Sequence, residues 1–212
     1  MKTRVSVICL LLFSVILSAC GPSKPKDTPV PTATPIVLAG WNRFEGSGIE
    51  MWLPESFEGG NLENDLGVIV DKLKALGPEF ESVAANIEAN PTAFVLWAFD
   101  SELGSAGYLT NVNVIQEQVV SAITLDTYLQ AVQQQLPSYL TISEQGQGKL
   151  ELYDSIRLVI DTEISGMKGK ELMYIIKDDN TIYVITFATA LDEFEARLPD
   201  FDQAVQTFKS LE

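Results

Sequence analysis

Apolar residues in this chain follow two periods, and each period predicts a different kind of element. Two short segments, 41–45 and 49–53, flank Gly46-Ser47-Gly48. Glycine permits the positive φ angles of tight turns, so these residues predict a β-hairpin that Pro54 closes. After the hairpin the period changes to that of a helix. The first predicted stripe is Leu66, Ile69, Val70, Leu73 and Leu76, and the second is Phe80, Val83, Ala84 and Ile87.

Residues 62–90 therefore predict two short helices, separated by Gly77-Pro78 and ending before Asn90-Pro91. Such an α-hairpin must bury its apolar faces. The run "AFVLWAF", 93–99, is apolar at every position and predicts a central strand. Residues 110–118 alternate between valine and asparagine and predict a strand with one more polar face. A clear helix follows, with Thr124 as its N-cap.

The C-terminal part predicts strands in succession and then a helix. Period-two segments at 149–164, 170–177 and 181–188 are separated by glycine- or aspartate-rich turns, which predicts an antiparallel meander. Pro199 interrupts the last helical stripe, and Asp200 is the expected cap of the final helix. This order of elements predicts an α+β fold in which helices cover an antiparallel sheet. The last stripe is Phe194, Leu198, Phe201, Val205 and Phe208.

The N-terminus has the pattern of a secretory signal peptide, residues 1–19. Lys2 and Arg4 precede an apolar run that is shorter than the roughly 18–20 residues needed to span a bilayer. The last residues, Leu17-Ser18-Ala19-Cys20, resemble a bacterial lipobox. The resemblance implies that the Cys20 thiol receives a diacylglycerol and that the new N-terminus is acylated, for example with palmitate. The alternative is an ordinary secreted protein in which Cys20 has no special role.

Residues 20–40 predict a tether between this lipid anchor and a folded domain, 41–212. Proline and threonine are frequent in Gly21–Pro35, and no apolar period is present. Proline-rich chain is extended, at about 3.1 Å per residue, so the segment could hold a domain about 45 Å from the lipid. A disordered leader with no spacing role would have the same sequence.

The charge of the chain restricts its partners. It has 14 basic and 29 acidic residues, a net charge of −15, and cleavage after Ala19 would remove Lys2 and Arg4 and no acid. The mature charge would then be −17. Such a charge repels nucleic acids and anionic lipid headgroups. Membrane attachment is therefore expected through acyl chains, and no nucleic-acid partner is expected.

The chain has no histidine, and its cysteines are Cys9, in the signal peptide, and Cys20. These absences exclude a Ser-His-Asp triad, a Cys-His nucleophile and a zinc site built from histidine or cysteine. Carboxylate chemistry, serine–lysine chemistry and cations bound through oxygen remain open. We expect no cofactor and no enzymatic activity.

Three stretches resemble the PsbP-like family, which includes the extrinsic photosystem II subunit and several bacterial lipoproteins. They are "GIEMWLPESF" (48–57), "TLDTYLQAVQQQL" (124–136) and "EFEARLPDFDQAVQTF" (193–208). The resemblance implies a sandwich of helices around a sheet. It also implies that 62–90 is an insertion, since this α-hairpin is longer than the family pattern. The family shares no catalytic residues, so the resemblance transfers none.

Four further groups of residues are candidate sites, each with a structural alternative. Asp178-Asp179-Asn180 could bind calcium but suits a hairpin turn. Gly166–Lys170 could bind phosphate but lies between two predicted strands with the wrong spacing for a P-loop. Asp100 and Glu102 could serve a ligand site or a solvated loop. Trp41 and Trp52 could form an aromatic surface or pack in the core.

These observations predict a lipid-anchored protein on the extracytoplasmic face of a membrane that acts as a non-catalytic binding or adaptor module. Capture of a small ligand is the alternative function. The expected partner is a protein, and the predicted binding surface is the first stripe: Leu66, Ile69, Val70, Leu73 and Leu76. Packing of that stripe against the core is the alternative.

Overall fold

The computed structural model describes residues 38–148, 150–164 and 166–211, all within one unit, Val37–Glu212. Within these residues the strands are β1 (Trp41–Gly46), β2 (Ile49–Pro54), β3 (Phe57–Gly60), β4 (Leu96–Asp100), β5 (Asn111–Gln118), β6 (Leu140–Gln147), β7 (Asp154–Ile164), β8 (Met167–Asp178), β9 (Thr181–Ala190) and β10 (Lys209–Ser210). The α-helices are α1 (Leu62–Leu76), α2 (Glu81–Ala89), α3 (Leu125–Gln135) and α4 (Phe194–Gln206).

The strands form two antiparallel sheets. The small sheet has the order β1-β2-β10, and the large sheet has the order β3-β4-β5-β9-β8-β7-β6. Every neighbouring pair in both sheets is antiparallel. The prediction of an α+β fold with antiparallel sheet and helical cover is therefore confirmed.

The interior strand β9 of the large sheet is buried on both faces, at all ten of its positions. On the inner face, Tyr183, Ile185 and Phe187 join a core with the small sheet and α4. On the outer face, Ile182 and Val184 pack in a separate cluster with Leu129 of α3. A third cluster, also on the outer face, joins α1 and α2 to β4. The molecule thus has helices on both sides of one sheet, and α1–α2 and α3 share the outer side.

Several predicted elements have the expected local chemistry. Gly48 occupies the hairpin turn with a φ of 72°. Asn61 caps α1 by accepting from the Glu63 N–H, and Thr124 caps α3 by accepting from the Thr127 N–H. Side-chain oxygens at these positions satisfy N–H groups that have no partner within the helix. Asp179 has a φ of 47° in the turn between β8 and β9.

Three strands and three boundaries differ from the predictions. The strand predicted over 93–99 is β4, which begins at Leu96. β3, β6 and β10 were not predicted, because β3 ends in two glycines, β6 is a largely exposed edge strand and β10 has two residues. The strand predicted from residue 149 begins instead at Asp154, and Leu152 is 70% exposed. The turn predicted over Gly166–Gly169 is shorter, since β8 already begins at Met167.

The prediction that Asp200 caps the final helix is wrong. α4 runs without interruption from Phe194 and contains Pro199 in its interior. A proline there removes one helical hydrogen bond and disfavours the helix. Burial of the apolar side compensates, because Phe194, Phe201 and Val205 are buried and Phe201 stacks on Phe187 with ring centroids 4.6 Å apart. None of the helices in the described ranges is long and apolar enough to cross a membrane.

Candidate functional site

The predicted lipidation site, Cys20, lies outside the described residues. The predicted binding stripe of α1 lies inside them and is largely buried. Ile69, Val70 and Leu73 are at most 4% exposed and pack in one cluster with Trp97 and Phe99 of β4. Leu66 and Leu76 are half-buried at its border. The stripe therefore packs against the rest of the domain, as the alternative interpretation of it expects.

Asp100 belongs to an ion-pair network that fixes a loop to α4. The carboxylate is 3% exposed, and its Oδ2 lies 2.6 Å from Nη1 of Arg197. Arg197 also donates to Glu193 over 2.8 Å, and Glu193 accepts from the Ser105 N–H. Burial lowers the pKa of Arg197, but the hydrogen bonds to Asp100 and Glu193 outweigh it, so the net shift is upward. Asp100 thus ties a loop in place, and Glu102 is an exposed residue of that loop whose N–H donates to Asp100.

Glu50 of β2 is the second deeply buried carboxylate, at 7% exposure. It accepts from Arg43 and from Lys209, whose Nζ lies 3.0 Å away. Burial raises the pKa of Glu50, but these two cations outweigh it and the net shift is downward. Both of these buried acids are therefore paired with cations, as the cost of an unpaired buried charge requires.

Glu171 of β8 has a different environment. It lies half-buried on the outer face of the large sheet, where its paired neighbours are Ala188 on one side and Ile160 on the other. Among the described residues, no hydrogen bond or ion pair to its carboxylate is found. Burial raises the pKa of Glu171 from 4.5 to about 7, because nothing nearby stabilises the ionised form.

Glu171 belongs to a strip of the outer face that lies between the two helical covers. Two rows cross the strip: Asn111, Ala188 and Glu171 form one, and Asn113, Thr186 and Met173 form the next. Thr186 and Ala188 are 8% exposed and form the floor, whereas the other four side chains are half-buried. We call these six residues the open strip.

The open strip lies between two walls, which are the α1–α2 cluster on one side and the α3 cluster on the other. On one side, Phe99 and Trp97 pair with Asn111 and Asn113 and are covered by α1–α2. On the other side, Ile160 and Leu158 pair with Glu171 and Met173 and belong to the α3 cluster. Asn111 and Asn113 provide no apolar surface for a helix to bury, so the cover by α1–α2 stops at the border with β4.

Tyr108 closes one end of the open strip. A Cβ atom placed on Gly169 would lie 2.7 Å from the Tyr108 hydroxyl, so this glycine leaves the space that the tyrosine fills. Burial raises the pKa of Tyr108, and the charge of Glu171 raises it further. The phenol and the carboxylate therefore interact electrostatically, with the phenol kept neutral.

A second concave surface lies at the N-terminus of α3. This cleft has a volume of about 880 Å³ and lies between the first turn of α3, the end of β6 and the start of β7. Ser155, which lines it, is 6% exposed, and its Oγ has no hydrogen-bond partner among the described residues. Acidic side chains at its border are Asp126, Asp154 and Asp179.

The remaining candidate residues lie in turns, in strands or against the core. Asp178 is the last residue of β8, Asp179 and Asn180 form the turn to β9, and the Lys177 ammonium donates to the Asp179 carbonyl. Gly166 lies in the turn before β8, with a φ of 83°, and Met167–Lys170 belong to the strand. Trp41 packs against the main core, whereas Trp52 is half-buried on β2. In the described ranges, no three acidic, cysteine or histidine side chains are grouped so as to hold a metal ion.

Sequence reasoning missed Glu171 and Tyr108. A signal for Glu171 was present, because the predicted strand 170–177 places it in phase with Met173 and Ile175. A charge on the apolar period of a strand indicates either a pairing partner or a site. Tyr108 gave no such signal, since its position depends on Gly169, which is distant in sequence.

No model of a known protein family matches this chain, and no curated protein matches it. Solved structures do. The solution structure of cyanobacterial PsbP (CyanoP) from Synechocystis sp. PCC 6803 matches with a TM-score of 0.52 and 12% identity. The match covers 86% of this chain and 99% of CyanoP. The fold is PsbP-like.

Two other solved structures resemble the PsbP-like fold of this chain more weakly. LpqN, involved in cell envelope biogenesis of Mycobacterium tuberculosis, matches with a TM-score of 0.49 and 9% identity. The match covers 76% of this chain and 82% of the LpqN chain. The T6SS immunity protein TplEi of Pseudomonas aeruginosa, complexed with a peptide, matches with a TM-score of 0.38 and 9% identity. The match covers 81% of this chain and 98% of the TplEi chain. Identities this low concern the fold alone.

Proposed function

We propose that this protein is a lipoprotein anchored to the extracytoplasmic face of a membrane, where it acts as a non-catalytic binding or adaptor module. The observation that carries the proposal is Leu17-Ser18-Ala19-Cys20, placed directly after a short apolar run. Residues 1–19 are the signal peptide, 20–40 the lipidated tether, and the domain with the PsbP-like fold follows from residue 41.

Physical chemistry supports a lipid as the anchor. One acyl chain gives only marginal membrane binding, whereas two or three hold a protein firmly, at about 0.8 kcal/mol per buried methylene. A mature charge of −17 gives no electrostatic attraction to anionic lipids that could replace those chains. The domain would then be free to contact other proteins near the membrane, and the open strip is the surface that it offers.

Membrane fractionation of cysteine variants tests this proposal. Cys20→Ser removes the acceptor of the lipid, so we expect the protein to leave the detergent-dependent membrane fraction. Cys9→Ser is the matched control, because it changes the other cysteine of the chain and should leave membrane retention intact. Retention of the Cys20→Ser variant that still requires detergent for release would contradict the lipid anchor.

The cleft at the N-terminus of α3 favours a second function, the capture of a small polar ligand. Its volume of about 880 Å³ is within the range of roughly 300–1,000 Å³ typical of ligand sites. Ser155 lines it, and the buried hydroxyl of this residue has no hydrogen-bond partner among the described residues. Native mass spectrometry of the protein released from membranes tests this function. A stoichiometric bound small molecule, lost in Ser155→Val but not in Ser138→Val, is the expected result for capture.

A further inference from the structure

The two lysines that precede Glu171 in sequence do not neutralise its charge. Lys168 and Lys170 both precede Glu171 in β8, by three residues and by one residue. Successive side chains of a strand point to opposite faces, so both lysines lie on the face opposite to Glu171. On the inner face, the Lys170 ammonium lies 5.2 Å from the centre of the Phe194 ring and pairs with Asp161 over 3.8 Å. Glu171 therefore faces the outer side without either cation.

The groups that surround Glu171 on the outer face carry no positive charge. Its sheet neighbours Ile160, Ala188 and Asn111 are neutral, and Tyr108, the titratable group beside it, is kept as a neutral phenol. The same surroundings provide apolar surface at Met173 and the Tyr108 ring. They also provide an amide at Asn113, for which no hydrogen bond is found among the described residues. This combination matches a group with an apolar stem and a cationic end.

We propose that the open strip binds a lysine or arginine side chain of a protein partner, with the cation on the Glu171 carboxylate and the aliphatic stem along Met173. The proposal rests on the proposed adaptor function and names the chemistry of its contact. Long basic side chains bury their stems on apolar surface while their charged ends reach a polar group. The net charge of −15 also favours a basic partner.

Binding of a cation at this place should depend on pH with a defined sign. The pKa of Glu171 is about 7 in the free protein, and a bound cation would lower it. Binding therefore releases a proton, and affinity rises as pH rises. Since roughly a tenth of the carboxyls are ionised at about pH 6 and roughly nine tenths at about pH 8, binding should be about tenfold tighter at the higher pH.

Methyl NMR of methionine-labelled full-length protein in detergent tests the proposal. The methionines of the described residues report on different places: Met173 on the open strip, Met51 on the buried core and Met167 on the exposed first residue of β8. The probes are the peptides acetyl-Gly-Lys-Gly-amide, acetyl-Gly-Arg-Gly-amide and acetyl-Gly-Glu-Gly-amide, and free spermidine. We expect the lysine or arginine peptide to shift the Met173 resonance, more strongly at about pH 8, while Met51 stays unchanged.

Two variants decide whether Glu171 is responsible. Glu171→Gln should weaken binding of the basic peptide about tenfold at about pH 8 and remove its pH dependence, since a charged hydrogen bond is lost. Glu195→Gln removes the same charge from an exposed position of α4, on the inner side of the sheet, and should bind as the parent does. A thermal melt of each variant confirms that it is folded.

Three results would overturn the proposal. In the first, the Met173 resonance does not shift with either basic peptide. In the second, the basic and glutamate peptides shift it equally. In the third, Glu171→Gln binds the basic peptide as tightly as the parent does. Spermidine binding in preference to both basic peptides would assign the strip to a small amine and reject the protein side chain. None of these results depends on Cys20, so a failure here is distinct from a failure of the lipid anchor, which the fractionation detects.

Discussion

Asp100 and Glu171 are carboxylates on the same seven-stranded sheet, and their surroundings are opposite. Asp100 has Arg197 at 2.6 Å and accepts from the Glu102 N–H, so its charge is compensated within the chain. Glu171 has neutral neighbours, and its pKa is raised to about 7. Glu50, with Arg43 and Lys209, follows the pattern of Asp100.

The difference separates acids that hold the fold together from an acid that does not. Removing a partner from a buried ion pair leaves an uncompensated charge and destabilises a protein strongly. Removing a charge that has no partner relieves a desolvation cost instead. A desolvated, unpaired carboxylate that persists at a half-exposed position is thus a candidate for contact with something outside the chain.

The largest effect is expected from removing the partner of Asp100. Arg197→Met should destabilise the domain by about 3–5 kcal/mol, because the Asp100 carboxylate would remain buried without a cation. Lys168→Met is the control, since Lys168 is exposed on the sheet. Urea unfolding followed by circular dichroism measures both variants. A cost below about 1 kcal/mol for Arg197→Met would place Asp100 in the same class as Glu171 and remove the contrast.

The next largest loss of stability is expected from a substitution in α1, which forms one wall of the open strip. Leu73 is 0% exposed, and Leu73→Ala should cost about 2–5 kcal/mol through lost burial and the cavity left behind. Val68, on the same helix, is 58% exposed, so Val68→Ala should change stability by less than about 0.5 kcal/mol. Equal unfolding midpoints for the two variants would mean that α1 does not pack on β4. In that case α1 would not form a packed wall beside the open strip.

The third effect has the opposite sign and depends on pH. The folded-state pKa of Glu171 lies above its ordinary value of 4.5, so its stabilising contribution is present below 4.5 and lost as pH rises to about 7. Glu171→Gln avoids this loss and should be more stable than the parent by about 2–3 kcal/mol at pH 8 and equal to it below pH 4.5. Thermal unfolding at both pH values checks this, with Glu195→Gln as the control. Destabilisation at pH 8 would show that Glu171 has a cationic partner.

Much of the fold could be predicted because its signals are local. The period of the apolar residues identified α1, α2, β5 and the β8–β9 hairpin, and Thr124 identified the start of α3. The missed strands depend on distant residues. β10 exists because Lys209 and Ser210 pair with β2, and Gly59 of β3 has a φ of 140° where a Cβ would lie 2.4 Å from the Trp97 carbonyl oxygen. Pro199 indicated a break that tertiary burial of α4 overrides.

The candidate site was less accessible to sequence reasoning. Asp100 was singled out by its place after a buried strand, but its cation is 97 residues away in the chain. Glu171 follows Lys168 and Lys170 in a charged stretch that resembles a solvated turn, but the strand period places both lysines on the opposite face of the sheet. Burial and register decide which acid is compensated, and neither can be derived from spacing alone.

The most direct measurement is a carbon-13 NMR titration of the glutamate side-chain carboxyls in the full-length protein, with Glu171→Gln for assignment. We predict one carboxyl that titrates near pH 7 and is absent from the variant, while the pKa of the Glu50 carboxyl lies below its ordinary value. If every glutamate carboxyl titrates below about pH 5, Glu171 is either solvated or paired, and the contrast between compensated and uncompensated acids is contradicted.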